Sequence, residues 1–164
     1  MAAERPVLVK GPPADAIDAM VSHVLALAST WPNWDGVPRE LGDRIYTPHK
    51  AMRRVTDHMI DHLAQFEAHV TGVPSLPDHW HASSMTTAAD LAPFGRQDLD
   101  EARSRIGRLA AMWRIRLENV AEEELDRAEG NAYTPREMAS CVVASTEYAD
   151  AVGDLSVFNT SIEG

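Results

Sequence analysis

One cysteine, Cys141, stands in the whole sequence. A single thiol excludes an intrachain disulfide and an all-cysteine zinc site. Aromatic residues are also few, at 6%, against 45% hydrophobic residues overall, a balance that suits packed helices better than a β-sandwich. No apolar run approaches the ~20 residues needed to cross a bilayer, so no membrane partner is expected. The first residues, Met1-Ala2-Ala3-Glu4-Arg5-Pro6, hold no apolar signal core, and a cytoplasmic location is the expectation. Positive charge is short: the formal net charge is -10, which repels phosphate backbones at long range and argues against nucleic acid as a partner. Glycine-rich phosphate loops and dinucleotide fingerprints are missing. Neither Ser83-Ser84 nor Cys141 has an evident base beside it for nucleophilic chemistry.

What is present is helical periodicity. The 164 residues suffice for one domain with a substantial core. Residues 1–13 read as an irregular arm broken by Pro6, Gly11, Pro12 and Pro13. Ile17, Met20, Val21, Val24, Leu25 and Ala28 predict a first helix over 14–30. The stretch from Trp31 to Pro38 reads as a loop. A second helix is expected from Thr47-Pro48 to Val70, with threonine as N-cap, proline in the first turn and Gly72 just past the end. Its basic start, His49-Lys50-Ala51-Met52-Arg53-Arg54, reads as a solvated helix opening. A long connection, 72–96, follows and contains Asp78-His79-Trp80-His81. Connections of this length are often functional.

A third helix is expected over 97–128, from Ile106, Leu109, Ala110, Trp113, Leu117, Val120 and Leu125. Its end, Glu122-Glu123-Glu124, is unusually acidic for a helix C-terminus, where the dipole prefers cations. A fourth helix opens at Thr134 with the capping-box partner Glu137 and continues to Gly153 through Met138, Cys141, Val142, Ser145, Ala149 and Val152. The tail is 156–164. Tyr46-Thr47-Pro48 recurs as Tyr133-Thr134-Pro135, a weak internal repeat. The expected architecture is an all-α, four-helix bundle over 14–155, with the long connection between helices two and three.

The constellation richest in chemistry is His58 and His62, four residues apart and each preceded by an aspartate. On a helix the two imidazoles lie one turn apart on one side, a spacing that suits two ligands of one zinc or nickel ion. Asp57 and Asp61 fall away from the core stripe and are expected to face solvent. A catalytic metal needs a third protein ligand. His69 shares the stripe but lies about 10 Å further along the axis, at ~1.5 Å per residue. His23, Cys141 as a thiolate, and the loop residues His79 and His81 remain as candidates, and each also has an ordinary structural reading.

The stretch from Thr47 to Gln65, with Thr134-Pro135-Arg136-Glu137-Met138, resembles the signature helices of the DinB-like superfamily. That group holds DNA-damage-induced bacterial proteins and the mycothiol- or bacillithiol-dependent transferases and isomerases. The resemblance covers residues 14–155. It implies a four-helix bundle, often a homodimer, and a divalent metal held by three histidines or substitutes, with a low-molecular-weight thiol as cosubstrate. In the family one histidine comes from helix two and a pair four apart from helix four. Here the pair sits on helix two. Through the repeat, Ser145 and Ala149 match it on helix four, while Arg54 and Cys141 stand at the single-histidine positions. Two readings follow from this departure. In one, the halves are swapped, with Cys141 as the lone ligand. In the other, the site has degenerated and the bundle survives as a binding scaffold.

Two functions are therefore expected in competition. One is a divalent-metal-dependent protein of the thiol-transferase or related hydrolase type, with a small-molecule substrate. The other is a metal-free helical scaffold that binds a small ligand or self-associates, with Trp31, Trp34 and Trp80 lining a pocket or interface.

Overall fold

The structure, a computed structural model, describes residues 4–77 and 82–157. It is all-α apart from one small hairpin. Helix α1 spans Pro13–Ala28, β1 Arg39–Leu41, β2 Arg44–Tyr46, α2 Pro48–Thr71, α3 Arg96–Glu118, α4 Glu122–Leu125, α5 Pro135–Ala144 and α6 Thr146–Val152. Helix α1 packs on α3, α5 and α6, and α2 packs on the same three. Among the described residues, no helix is long and apolar enough to cross a membrane.

Each long helix buries the stripe its periodicity defines. Ile17, Val24 and Ala28 of α1, Val55 and Met59 of α2, and Ile106 and Trp113 of α3 are fully buried. Trp113 lies flat beside Phe66, with centroids 5.8 Å apart, and its indole N–H donates to the Met59 carbonyl at 3.0 Å, locking α3 to α2. Arg114 reaches back to α1, donating to Asp15 at 2.8 Å and to Asp18.

The caps of α2 form as expected. The Thr47 hydroxyl accepts from the Lys50 N–H at 3.2 Å. At the far end Gly72 takes φ 71°, a left-handed conformation that side chains with a Cβ disfavour, and Val73 N–H closes onto the Ala68 carbonyl at 3.0 Å. Thr134 and Glu137 form a reciprocal capping box at the start of α5.

Three expectations are corrected. First, the stretch from Trp31 to Pro38 is not plain loop, and a hairpin not expected from the sequence follows it. Trp31–Asn33 is a 3-10 turn, and β1 pairs antiparallel with β2, Leu41 opposite Arg44, across the two-residue turn Gly42-Asp43. Gly42 takes φ 63°, the positive value that short hairpin turns require. Second, the third helix does not run to 128. It stops at Glu118, so the three glutamates open α4 instead. At a helix N-terminus their charges meet the positive end of the dipole rather than the negative one. Third, the fourth helix breaks at Ser145. The Ser145 and Thr146 hydroxyls donate to the carbonyls of Val142 and Val143, at 2.6 and 2.8 Å, competing with the helical ladder.

The basic start of α2 is also not solvated. Lys50 is 1% exposed, and Arg53 and Arg54 are half-buried beneath the 82–90 segment. Asp90, 2% exposed, anchors that segment. Its carboxylate accepts from Arg53 Nε and Nη2 at 3.0 and 2.7 Å and from the Thr87 N–H at 2.8 Å. Its backbone carbonyl accepts from the Thr47 hydroxyl. Burial pushes the Asp90 carboxyl up, but Arg53 and Thr87 outweigh it and hold the group below the usual carboxylate range.

Removing one partner of such a pair leaves an uncompensated charge. Asp90→Ala is expected to lower unfolding free energy by about 3 kcal/mol, whereas Thr134→Ala, which loses only a cap, costs about 1 kcal/mol. Urea unfolding of both variants checks the ranking, and equal losses would remove Asp90 from its anchoring place.

Candidate functional site

Helix α2 brings His58 and His62 together as their spacing requires. Both are half-buried, with ring centroids 5.6 Å apart and planes 30° from parallel. His58 Nε2 lies 3.1 Å from the Tyr148 hydroxyl of α6 and 3.3 Å from Arg54 Nη2. Arginine has no acceptor, so it donates, and His58 Nε2 is the accepting nitrogen. The proton of the neutral ring is then on Nδ1. His62 Nδ1 faces the Gln65 Oε1 at 2.8 Å. That oxygen accepts, so His62 carries its proton on Nδ1 and keeps a lone pair on Nε2.

Both rings are held neutral. Burial, with help from the Arg54 and His62 charges, pushes His58 down to about 4. Burial also lowers His62, opposed by the Gln65 hydrogen bond and the Asp61 charge. Asp61 is exposed as expected. Asp57 is not simply solvent-facing, since it is half-buried and takes a 3.1 Å bond from Arg54.

Around the pair lies a layer of aromatic and cationic side chains. Tyr46 of β2 stacks on Tyr148 with centroids 5.1 Å apart, and Arg54 lies over the Tyr148 ring at 5.5 Å. Arg54 Nε donates to the Ser83 hydroxyl at 2.9 Å. Beyond His62, Gln65 lines a groove of about 420 Å³ that also involves Asp61, Ala68, Pro74, Leu76 and Pro77. A second cleft, about 260 Å³, opens between His49, Arg53, Asp57, Asp98, Glu101 and Arg105. Its charges pair with one another: Arg105 with Glu101, and His49 with Asp98 at 3.7 Å.

The candidate third ligands go elsewhere. His23 is exposed and bonds Asp150 at 2.7 Å. His69 is 5% exposed, with Nε2 3.9 Å from a Glu124 oxygen. Cys141 does not face fully into the core and is half-buried. Burial and the Glu137 charge push its thiol up to about 11, the opposite of the thiolate a soft metal would want. His79 and His81 lie outside the described residues, as does Trp80. Among the described residues, no three His, Cys, Asp or Glu side chains gather where they could hold a metal ion. In donor type and spacing the His58–His62 pair fits two ligands of a zinc or nickel ion, but the set is incomplete. Trp31 is not a pocket residue. It is fully buried, packs edge-on against Phe94 at 5.6 Å, and donates to the Gly153 carbonyl. Trp34 is half-buried and bonds the nearby Val37 carbonyl.

Tyr148 and Tyr46 were not legible as neighbours of the imidazole pair. Tyr148 is 90 positions from His58, and no spacing rule connects them. Tyr46 belongs to the repeated Tyr-Thr-Pro motif, whose threonine announces a cap and says nothing about its tyrosine.

A lowered histidine pKa carries a stability signature. Between about 6.5 and about 4 the unfolded chain takes up a proton at His58 that the folded chain refuses. Stability contributed by the neutral ring is thus whole above pH 6.5 and lost as pH falls through that window. NMR titration of the metal-free protein should place His58 well below the ordinary imidazole range, and His58→Gln should flatten this part of the stability profile. An ordinary titration midpoint would contradict the burial assigned to the ring. No protein-family model, curated protein or solved structure matches the chain, so its functional reading rests on this geometry.

Proposed function

We propose that this chain is a DinB-like four-helix bundle whose functional centre is the His58–His62 pair, binding a divalent metal ion, zinc or nickel, in the manner of the thiol-dependent transferases and related hydrolases. The carrying observation is the side-by-side setting of two imidazoles that are both kept neutral. A neutral imidazole carries the lone pair that a metal needs, and burial favours that form in both rings. A bound ion of this kind would supply Lewis acidity and stabilise a thiolate or hydroxide near neutral pH. The chain's own residues do the rest. Gln65 fixes the tautomer of His62 so that Nε2 is the ligating atom, as second partners of metal-bound histidines do. On His58 the lone pair is on Nε2, where Tyr148 and Arg54 already lie, so a bound ion would have to take their place there. The groove that Gln65 lines gives a small ligand a place one hydrogen bond away from His62, although neither imidazole lines it.

A second reading has its own support. Arg54 Nη2 sits 3.3 Å from His58 Nε2, where its positive charge opposes a dication. A metal-free scaffold that binds a small ligand is consistent with that contact. The thiol cosubstrate, the homodimer and the cytoplasmic setting belong to the family reading alone.

Metal analysis of protein purified without chelator separates the two. The metal reading expects about one zinc or nickel equivalent per chain, lost in His58→Ala and in His62→Ala, with Arg54→Met binding more tightly than the parent. No metal above background, or equal metal content in all variants, would leave the scaffold reading. Cys141→Ser in the same assay tests the swapped-ligand idea, and unchanged affinity there would remove Cys141 from the site.

A further inference from the structure

The cations at the start of α2 do not balance. Arg53 is held by Asp90, and Arg54 by Asp57 and Ser83. Lys50, 1% exposed, has no carboxylate at ion-pair distance among the described residues. Its ammonium donates to the Thr86 hydroxyl at 3.0 Å and lies 4.9 Å from the centre of the Tyr46 ring. With Arg44 of β2, which also acts on Lys50 and pairs with Asp43 at 3.7 Å, four positive charges thus face three negative ones among the described residues, in a chain whose overall balance is -10. Beside Lys50, Tyr46 is fully buried, and its hydroxyl makes no well-formed hydrogen bond among the described residues, although Ser83 and Arg44 act on it. Native proteins rarely leave a buried hydroxyl and a buried ammonium both under-satisfied in one place.

We propose that Lys50 and Tyr46 form a seat for the carboxylate of a small organic acid, reached from the Thr86 side and lying beside His58. A carboxylate brings one negative charge, which balances the one in excess, and it accepts from both the ammonium and the phenol. A phosphate dianion would bring a second charge with no cation free to meet it. Arg54 is committed through Nε, Nη1 and Nη2, so it shapes the seat without supplying the contact. Thr86 is half-buried between the exposed Met85 and Thr87, and an acid that takes the place of its hydroxyl meets the ammonium directly. Burial already holds Lys50 below the usual lysine range, a desolvation cost that an anion would relieve. The Tyr46–Tyr148 stack and the Tyr148–His58 contact place the bound acid within the same cluster as the imidazole pair. The seat does not require a metal at that pair.

The test is saturation-transfer NMR with propionate on the full chain after chelator treatment. Saturable binding is expected, with inorganic phosphate failing to compete at equal concentration. Lys50→Met should weaken binding at least about tenfold, the scale of a lost charged hydrogen bond. Tyr46→Phe should weaken it severalfold, and His23→Ala, at an exposed position on α1, should leave it within about twofold. Should Lys50→Met not fold, Thr86→Val and Tyr46→Phe decide. Tighter binding in the first and weaker in the second is expected, and no change in either overturns the seat. Absence of saturable binding, or displacement by phosphate, also overturns it. Propionate binding that appears only when zinc is added removes the seat while leaving the metal reading intact, and propionate binding to a parent protein that carries no zinc or nickel above background does the reverse.

Discussion

Helix α2 must bury a polar edge beside its apolar face, and much of the remaining structure answers that constraint. Its apolar stripe, from Met52 through Phe66, would dock against α3 and α5 in any compact helical protein. Lys50, Arg53, Arg54, His58 and His62 lie next to that stripe, and burying them unaided would cost far more than the stripe returns. The 82–90 segment supplies carbonyls, hydroxyls and the Asp90 carboxylate to the three cations. The hairpin delivers Tyr46 under Lys50, and α6 delivers Tyr148 against His58. Asp90 is central because it serves Arg53 with its side chain and the α2 cap with its backbone.

This arrangement explains which parts of the fold were legible in the sequence. Thr47, Gly72 and the Thr134–Glu137 box act within a few residues of themselves, so a linear reading finds them. The breaks at Glu118 and Ser145 depend on local competition that apolar periodicity does not register. Leu117, Val120 and Leu125 keep helical spacing across the first break, and Val142, Ala149 and Val152 keep it across the second. In both places a signal was present: three glutamates badly placed for a helix end, and an adjacent Ser-Thr pair. The Gly42-Asp43 turn was likewise a hairpin signal, but strands of three residues are too short to show alternation. Burial of the basic cluster was illegible for a different reason. Its partners lie 29 to 37 positions away, and a run of basic residues looks the same in sequence whether water or Asp90 satisfies it.

Half of the site was legible on the same grounds. The i,i+4 spacing places His58 and His62 on one side of one helix, and they are there. Spacing says nothing about what approaches from other elements. The neighbours are a phenol and a guanidinium, with Cys141 half-buried and held as a thiol. A net-acidic chain therefore carries a locally cationic, aromatic-lined patch around two neutral imidazoles. Whole-chain charge, which bears on long-range attraction alone, gives no guide to what this patch favours at close range.

The internal repeat shows how the two halves divided the work. Tyr46-Thr47-Pro48 and Tyr133-Thr134-Pro135 open α2 and α5 with the same cap, and those helices pack on each other. Counting on from the motif, the position of His58 is matched by Ser145, where α5 ends and the chain turns into α6. One half uses that position to project an imidazole. The other uses it to break the helix, three residues before Tyr148 meets that imidazole. The first tyrosine of the motif is fully buried in the cluster, whereas the second is half-buried near the N-terminal arm, its hydroxyl 3.5 Å from the Glu4 carbonyl. A symmetric pair of halves would have faced ring to ring, or serine to serine. The asymmetry leaves the imidazole pair on α2 and brings Tyr148, from beyond the break at Ser145, to His58.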